Sequence, residues 1–353
     1  MSDLAGRVPG LGALDSEGML EAHAGLPDQV ASAAERAADV AGLPAREQIE
    51  NVVVLGMGGS GVAGDVVLAV AGPYLPVPVT VVKSYTPPAF VGPASLVFAV
   101  SWSGDTEETV EAAGESLGQQ AKMVVVTGGG QLAELAQRAE LPLVGVPRDL
   151  PEPRAAIGAM AIPILVVLES IGLFPGASRW VELAVAQLRR RREQLLGGDS
   201  VAAEVAARIG NTIPLVHSSR ALGMTAALRW KTQVNENAKS PAFWAVYPEL
   251  CHNEVEGWAR LADVTRKLIT VVNLRHDGEH PQVARRFALV GEILAGAVAD
   301  VCEVRAAGEG ELAQLLDLVM IGDFVSLHLA AQSGIDPGPA PVLTRLKSQL
   351  RQG

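Results

Sequence analysis

Short apolar runs rich in β-branched residues alternate with helical segments along most of this chain. The runs occupy Asn51–Leu55, Val77–Val82, Ser95–Val100, Lys122–Thr127 and Pro142–Val146 in the first half, and Ile213–Ser218, Lys267–Asn273 and Ala299–Arg305 in the second. Continuous apolar runs of this kind are typical of buried parallel strands. Strands that alternate with helices form right-handed βαβ units. The sequence therefore predicts an α/β fold of parallel sheets flanked by helices, laid out as two similar halves.

The boundary between the halves is predicted at the sequence LFPGAS, which joins helical segments near residues 158–171 and 180–196. The chain has 353 residues, more than the ~250–300 at which a single hydrophobic core stops growing. We therefore predict two domains. Residues 1–173 form the first, with a leading helix near residues 16–41, and residues 174–353 form the second, which ends in a helix.

The charge and the cysteine content restrict the partners and the compartment. A formal net charge of −11 disfavours nucleic acid and anionic membranes, which bind basic surfaces. Two cysteines give no disulfide framework and fit a reducing compartment. The longest apolar stretch, Ile157–Leu168, contains Pro163 and is too short to cross a bilayer. The N-terminal sequence lacks the pattern of a signal peptide, so we expect a cytoplasmic protein.

Two loops rich in glycine and hydroxyl side chains each follow a predicted strand. The first lies in NVVVLGMGGSGVAGD, residues 51–65, and the second in SLVFAVSWSGDTEETVEAA, residues 95–113. Each loop leads from a strand into a helix, so backbone N–H groups and hydroxyls meet at a helix N-terminus, where phosphate binds favourably. Two such loops on neighbouring strands predict a single phosphate held from both sides.

The first loop has two other interpretations. Gly56–Gly61 matches the dinucleotide-binding pattern G-x-G-x-x-G. That pattern also requires an acidic residue at the end of the second strand, where this chain has Lys83-Ser84-Tyr85. A lysine there is compatible with the 2′-phosphate of NADP, so the dinucleotide interpretation is weakened but not excluded. In the other interpretation the glycines serve only a tight turn.

The second loop offers three hydroxyls, those of Ser101, Ser103 and Thr106. Helix capping by Thr106 is an alternative explanation, but it accounts for only one of the three. The pattern S-x-S-G-x-T, together with G-G-S-G in the first loop, resembles the sugar isomerase (SIS) family, whose domains bind phosphosugars through such loops. The family usually has Asn where this chain has Asp105, which adds a negative charge near the expected phosphate.

Ionisable residues are concentrated between residues 235 and 254, where they include Glu236, Lys239, Glu249 and Glu254. The aromatic residues around them are Trp230, Phe243, Trp244, Tyr247 and Trp258. Aromatic surroundings predict a partly desolvated cleft, which suits a general base. The alternative is a solvated helix face with spaced ion pairs.

The run NENAKSPAFWAVYPELCHNEVEGW, residues 235–258, resembles the E-N-x-K … P-E … H-N-E signature of the bifunctional phosphoglucose/phosphomannose isomerases of the SIS superfamily. PRAAIG (153–158) and LKSQL (346–350) resemble two further segments of that family. The resemblance extends from about residue 14 to residue 347. It implies two tandem SIS domains, each a flavodoxin-like three-layer sandwich.

The same resemblance implies an activity. An enzyme of this family interconverts aldose and ketose hexose 6-phosphates, with glucose and fructose 6-phosphates expected first and mannose 6-phosphate second. Proton transfer would proceed through a cis-enediol without a metal or a cofactor. The resemblance also implies a homodimer that acts on small phosphosugars.

Roles for single residues follow from the family signature. Glu236 matches the base that moves a proton between C1 and C2, and Arg154 matches an arginine over the enediolate. His252 matches a ring-opening histidine that can come from a neighbouring subunit, and Lys347 matches a lysine near the ring oxygen. The residues expected to hold the phosphate are Gly58, Gly59, Ser60, Ser101, Ser103 and Thr106.

Several alternatives stay open. Relatives have a threonine in a D-P-T-P-V stretch, where it is thought to help accept mannose. This chain has the sequence DPGPAPV at residues 336–342, with Gly338 or Ala340 in place of the threonine. The protein could instead be a non-catalytic phosphosugar sensor or act on a different phosphosugar. Arg154 could simply pair with Asp149 or Glu152.

Nothing in the sequence resembles the zinc ligands of cupin-type isomerases. The remaining histidines are predicted to be structural or on the surface: His23, His217, His276, His280 and His328.

Overall fold

The first of two parallel sheets is built from the N-terminal half of the chain. A computed structural model describes residue 4 and residues 6–197, 200–219 and 221–350. The strands are β1 (Asn51–Leu55), β2 (Val79–Val82), β3 (Ser95–Ser101), β4 (Lys122–Thr127) and β5 (Leu143–Gly145). Their order is β2-β1-β3-β4-β5, and every neighbouring pair is parallel. The predicted α/β architecture is confirmed.

The second sheet has the order β7-β6-β8-β9 and is also parallel throughout. Its strands are β6 (Ile213–Ser219), β7 (Phe243–Tyr247), β8 (Ile269–Arg275) and β9 (Asp300–Arg305). Strand β7 was not predicted, since its short aromatic run was interpreted as the wall of a cleft. Strand β8 begins two residues later than predicted because a short helix extends to Leu268.

Helices cover both faces of the first sheet. They are α1 (Met19–Ala24), α2 (Leu26–Ala38), α3 (Gly58–Val70), α4 (Glu107–Gly118), α5 (Gly130–Arg138), α6 (Ile157–Ser170) and α7 (Ala177–Leu195). Side chains of α3 and α6 pack on one face of the sheet, and those of α4 and α5 pack on the other. The predicted leading helix is two helices, because the chain bends at Gly25.

The helices of the second half are α8 (Val201–Ile209), α9 (Leu222–Asn237), α10 (Glu254–Gly257), α11 (Ala262–Leu268), α12 (Pro281–Leu294), α13 (Glu311–Gln332) and α14 (Pro341–Leu350). Helix α13 lies at the centre of the molecule, with every residue from Leu312 to Ala330 buried. It is long and apolar enough to cross a membrane by composition alone, but its apolar stretch is wholly buried, as in the core helix of a globular protein. At Gly322 a Cβ atom would overlap the indole of Trp230 in α9, so the glycine permits the close approach of these two helices.

The order of the first sheet determines where a ligand can bind. After β1 the chain forms β2 on one side of β1 and then β3 on the other side. In open parallel sheets, ligands bind beyond the carboxyl ends of the strands, at the point where the strand order reverses. In this chain that point lies between β1 and β3. The two hydroxyl-rich loops follow these two strands.

Candidate active site

The first loop forms the opening turn of α3. Gly58, Gly59 and Ser60 are the first three residues of that helix. A Cβ atom on Gly59 would lie 3.0 Å from the carbonyl oxygen of Pro153, so the turn packs directly against the 3-10 helix Pro153–Ala155. This contact places the backbone of Arg154 next to the predicted phosphate loop.

The second loop holds its hydroxyls in a hydrogen-bonded cluster. Ser101 Oγ lies 2.9 Å from Thr106 Oγ1 and accepts a hydrogen bond from the backbone N–H of Gly104 at 3.1 Å. Ser103 Oγ accepts one from the N–H of Asp105 at 3.2 Å. Thr106 occupies the N-cap position of α4, but its hydroxyl makes no capping bond. The capping alternative therefore does not explain Thr106.

Ser60 joins the two loops. Its hydroxyl accepts a hydrogen bond from the N–H of Trp102 at 3.3 Å, and it contacts the sulfur of Met160 at 3.2 Å. Gly104 has a φ of +78°, and a Cβ atom there would overlap the carbonyl oxygen of Gly129. Glycine is therefore required at this position of the S-x-S-G-x-T pattern. The two loops form one polar surface at the reversal of the strand order.

The carboxylate of Asp105 points away from the hydroxyls. Its Oδ1 accepts a hydrogen bond from the backbone N–H of Gln131 at 3.0 Å, in the first turn of α5. A carboxylate is stabilised at a helix N-terminus by the free N–H groups and by the helix dipole. Helix α5 thus stabilises the charge of Asp105, the residue that stands where the family usually has asparagine.

Arg154 is the most constrained charged residue of the site, with its side chain 2 % exposed. Its Nε donates to Asn237 Oδ1 at 2.8 Å, and its Nη2 donates to the carbonyl oxygens of Pro337, at 2.7 Å, and Gly338. Burial lowers the pKa of Arg154, while Glu236 and Glu152 oppose that shift. A guanidinium remains charged in such surroundings.

One nitrogen of that guanidinium has no hydrogen-bond partner among the described residues. Arg154 Nη1 is buried and unpaired, although it lies 3.4 Å from Glu152 Oε2 and 3.6 Å from Glu236 Oε2. An orphaned buried donor is rare in folded proteins and requires an explanation. Here it faces the carboxylate that the sequence identified as the base. The predicted pairing with Glu152 is present, but it does not satisfy this donor.

Glu236 lies in the last turn of α9, with 29 % of its side chain exposed. Lys239 follows α9 and donates from Nζ to the carbonyl oxygens of Glu236, at 2.5 Å, and Pro337, at 3.3 Å. Burial lowers the pKa of Lys239, and the positive charge of Arg154 adds to the shift. Lys239 is exposed, but its ammonium group binds backbone carbonyl oxygens and forms no ion pair with the Glu236 carboxylate within the described part of the chain.

Glu249 and Glu254 belong to a separate group that fixes the segment carrying His252. Glu254 Oε1 lies 2.7 Å from Nε2 of the buried His217, and Glu249 accepts a hydrogen bond from Asn253 at 3.2 Å. His252 lies between them, in the 3-10 helix Glu249–His252. Its side chain is exposed, and no hydrogen bond or ion pair joins it to another described residue.

Lys347 lies in the exposed helix α14. Burial raises the pKa of Glu152, and the charge of Lys347 is near enough to oppose that rise. A cavity of about 500 Å³ lies between Glu152, Glu17 and the first turns of α14. Cavities of this size hold small ligands.

The predicted aromatic wall of the cleft is wrong. Trp230 is buried between α9 and α13, where its Nε1 donates to the carbonyl oxygen of Leu318 at 2.7 Å. Tyr247 is buried against Phe287 on the other side of the second sheet, and Phe243 is 56 % exposed. The carboxylates of the site are enclosed instead by Arg154 and by the backbone of residues 336–338.

Two residues near the site, Glu17 and Asn237, were not assigned roles by the sequence. Asn237 is part of the E-N-x-K signature, which is the signal that could have identified it. For Glu17 no such signal exists, because only the fold brings the N-terminal segment to residue 338. Within the described ranges, no group of three or more His, Cys, Asp or Glu side chains is placed to hold a metal ion.

Comparison with known proteins places this chain in a family. Residues 199–350 match the bacterial phospho-glucose isomerase C-terminal SIS domain. The bifunctional phosphoglucose/phosphomannose isomerase of Caldicellulosiruptor bescii is 31 % identical over 338 residues, which are 95 % of this chain and 99 % of the relative. The enzyme of the same name from Aquifex aeolicus is 34 % identical over 309 residues, 86 % of this chain and 91 % of the relative.

The fold is shared more widely. The C-terminal domain of glucosamine-fructose-6-phosphate aminotransferase from Francisella tularensis superposes with a TM-score of 0.69 at 15 % identity, over 91 % of this chain and 97 % of the other. The two parallel sheets thus have the architecture of tandem SIS domains.

Proposed function

This chain belongs to the family of bifunctional phosphoglucose/phosphomannose isomerases, and we propose that it interconverts glucose 6-phosphate and fructose 6-phosphate, with mannose 6-phosphate as a further substrate. The enzyme is a phosphosugar aldose–ketose isomerase. One observation carries the assignment of the site: the unpaired, buried Nη1 of Arg154 lies 3.6 Å from the carboxylate of Glu236. This pair of side chains lies beside a loop that presents hydroxyl groups and the N–H groups of a helix N-terminus.

The proposed reaction uses these groups in a fixed geometry. Ser60, Ser101, Ser103 and Thr106, with the backbone of Gly58 and Gly59, hold the phosphate at the N-terminal ends of α3 and α4. This anchors the substrate at one end and leaves C1 and C2 near Glu236. The Glu236 carboxylate takes the proton from C2 of the open aldose, a proton passes from O2 to O1 of the enediolate, and Glu236 then returns its proton to C1. Such a positioned base contributes about 10²–10⁴-fold to the rate.

Arg154 stabilises the charge that develops during this transfer. When the C2 proton leaves, negative charge accumulates on the oxygen of the enediolate. A fixed donor aimed at that oxygen stabilises the transition state more than the ground state. The unpaired Nη1 of Arg154 supplies this donor, and its other nitrogens are already held by Asn237 and by two carbonyl groups. The guanidinium therefore does not need to reorganise during the reaction.

Ring opening is assigned to Lys347 and His252. The charge of Lys347 is near enough to Glu152 to oppose the rise in the pKa of that carboxyl group. His252 is exposed, and no hydrogen bond or ion pair joins it to Glu236 within the described part of its own chain. We therefore propose a homodimer in which His252 of one subunit completes the site of the other.

We also propose that residues 1–173 and 174–353 form the two SIS domains and that the enzyme is cytoplasmic. Support for the compartment comes from two cysteines that are both free, Cys251 and Cys302, as in proteins of a reducing environment.

The function is tested by following fructose 6-phosphate conversion after EDTA treatment of the enzyme and without added metal. We expect full turnover under these conditions, because proton transfer by Glu236 needs no metal. The glucose and mannose 6-phosphate products would be separated and quantified. Turnover that EDTA abolishes would contradict the metal-independent mechanism. Binding of the sugar in calorimetry without turnover would instead support a sensor, or an enzyme for another phosphosugar.

The structure explains how the chain accommodates glycine at position 338. Ser16 Oγ bonds Asp336 Oδ2 at 2.5 Å, and the N–H of Gly338 donates to Asp336 Oδ1 at 2.9 Å. These hydrogen bonds hold Glu17 against Gly338. A Cβ atom on residue 338 would lie 2.8 Å from Cβ, Cγ and Oε2 of Glu17. Because two of these atoms are close to the backbone, rotation of the carboxylate does not clear the space. Glu17 therefore occupies the position of a side chain at residue 338.

Restoring the threonine should require removal of Glu17. We expect Gly338→Thr alone to lower stability without increasing the share of mannose 6-phosphate among the products. In Glu17→Gly/Gly338→Thr the Cβ of residue 17 is also removed, so the hydroxyl has room, and the mannose share should rise about 2- to 10-fold, the value of one hydrogen bond. Glu17→Gly alone is the matched control and should leave the product ratio unchanged. An equal rise in the single Gly338→Thr variant would show that Glu17 does not block the position.

A further inference from the structure

A closed ring of hydrogen bonds begins and ends at Arg154. The Arg154 Nε donates to Asn237 Oδ1 at 2.8 Å, and the Arg154 carbonyl oxygen accepts from Arg229 Nη2 at 2.6 Å. Arg229 is paired with Asp323 through Nε at 3.0 Å and Nη2 at 3.1 Å. Asp323 Oδ2 lies 3.0 Å from His23 Nδ1. The ring closes where His23 Nε2 lies 3.4 Å from Asn237 Nδ2.

The ring is almost completely excluded from solvent. Exposure of its five residues ranges from 0 % for Asn237 to 2 % for His23 and Arg154. Its members come from α1, the 3-10 helix at Pro153, α9 and α13, so both halves of the chain contribute. Burial alone would raise the pKa of Asp323, but Arg229 and His23 outweigh that effect and hold it below the usual value of a carboxyl group. Asp323 is therefore ionised and paired.

The bonding pattern fixes the orientation of the Asn237 amide. Its Oδ1 is engaged by Arg154, so its Nδ2 faces the other partners, which include Gln233 Oε1 and Ser326 Oγ, both at 2.9 Å, and His23 Nε2 at 3.4 Å. His23 then accepts at Nε2 and donates from Nδ1 to Asp323. Each member of the ring thus holds the next in a single orientation.

We infer that Asn237, supported by the Arg229–Asp323–His23 triad, is a positioning residue that aims the unpaired Nη1 of Arg154 at the reacting oxygen. The inference rests on the proposed function. Asn237 follows Glu236 directly in α9, so one turn of helix carries both the base and the group that orients the guanidinium. The distance between base and guanidinium is therefore set by adjacent residues of one rigid element rather than by a flexible arginine side chain.

The chemistry of isomerisation explains why this orientation matters. An arginine side chain has several rotatable bonds, and an error of about 1 Å in the placement of a catalytic group can cost about 10²-fold in rate. Substrate binding depends instead on the hydroxyl loops, which share no hydrogen bond with Asn237 in the described part of the chain. Loss of the ring should therefore lower kcat and leave the KM of the phosphosugar nearly unchanged.

A double-mutant cycle in kcat tests the inference. Arg154→Ala should lower kcat about 10²-fold, the scale for loss of one donor to a developing oxyanion. Asn237→Leu, which keeps the volume but removes the acceptor for Arg154 Nε, should lower kcat by roughly 10-fold, with KM and the inhibition constant of inorganic phosphate changed by less than about 3-fold. The double variant should turn over no more slowly than Arg154→Ala, because Asn237 has no further role once the guanidinium is gone.

Two further variants separate positioning from folding. Asn235→Leu is the matched control, since Asn235 lies on the same helix and its side chain bonds, among the described residues, only the carbonyl oxygen of Ser240; it should leave kcat unchanged. Ser326→Ala removes one partner of Asn237 with little change in volume. If Asn237→Leu does not fold, a smaller kcat loss in Ser326→Ala that disappears in the Arg154→Ala background carries the same information.

The outcomes distinguish this inference from the proposed function. Losses in kcat that multiply in the double variant, or a KM that rises as kcat falls, would overturn the positioning role and leave the isomerase assignment intact. Unchanged kcat in Arg154→Ala would instead remove the proposed role of the arginine.

Discussion

Glu236→Gln should reduce turnover of fructose 6-phosphate by at least about 10²-fold, the lower end of the range for a positioned acid–base group. The amide has nearly the shape of the carboxylate but cannot take a proton from carbon. Lys239 and Arg154 do not substitute for it, because Lys239 is engaged with backbone carbonyl oxygens and Arg154 has no acceptor function. The measurement is kcat from the coupled assay, combined with exchange of the C2 proton into solvent.

The Glu236→Gln variant should still bind the phosphosugar, because its hydroxyl loops are unchanged. Binding of fructose 6-phosphate, measured by calorimetry, should remain within about 3-fold of wild type, because affinity depends mainly on the phosphate. Glu204→Gln is the control. It makes the same charge change in α8, at an exposed position. Near-normal turnover in Glu236→Gln would refute the assignment of the base.

A mixture of two inactive variants should regain activity. His252→Asn lacks the ring-opening histidine, and we expect it to lose about 10²-fold or more in turnover of a closed-ring aldose. If His252 acts in the partner's site, hybrid dimers of His252→Asn and Glu236→Gln contain one intact site and one doubly defective site. After subunit exchange in equal amounts, about a quarter of wild-type activity should return.

The same mixing experiment distinguishes this arrangement from one in which His252 acts in the site of its own subunit. If His252 served the site of its own subunit, every site in every hybrid would lack either the base or the histidine, and mixing would restore nothing. Mixing Glu236→Gln with Arg154→Ala is the control, since Arg154 and Glu236 lie in the same subunit and should not complement one another. Light scattering of the wild-type enzyme measures the oligomeric state independently.

Where strands are buried on both faces, the sequence predicted the fold closely. β1 and β4 have the predicted bounds, and β3 is one residue longer than predicted. The unpredicted β7 is an edge strand in which only Tyr247 is fully buried, so it lacks a continuous apolar pattern. β2 and β5 are likewise edge strands, and both are shorter than their apolar runs. Apolar patterning thus locates the central strands of a sheet better than its edges.

Only part of the candidate site could be predicted from the sequence. The hydroxyl loops are local patterns placed by the strands before them, and they could be found directly. Glu236 and Arg154 could be paired only through the family signature. Contacts between residues far apart in sequence leave no local pattern, which is why the role of Glu17 beside Gly338 and that of His23 behind Arg154 required the fold. His23 was predicted to be either structural or on the surface, and it is buried and lies 3.0 Å from Asp323.

The ring around Arg154 has a consequence for the order in which the enzyme becomes functional during synthesis. Its members and the carbonyl groups that hold the guanidinium are spread from α1 to residue 338. A growing chain contains the complete phosphate loops once β3 and α4 are made, yet the arginine gains its last acceptors only when α13 and the segment after it have left the ribosome. We therefore expect catalytic competence to arise only after residue 338 has emerged from the ribosome, and neither half of the chain should be active by itself.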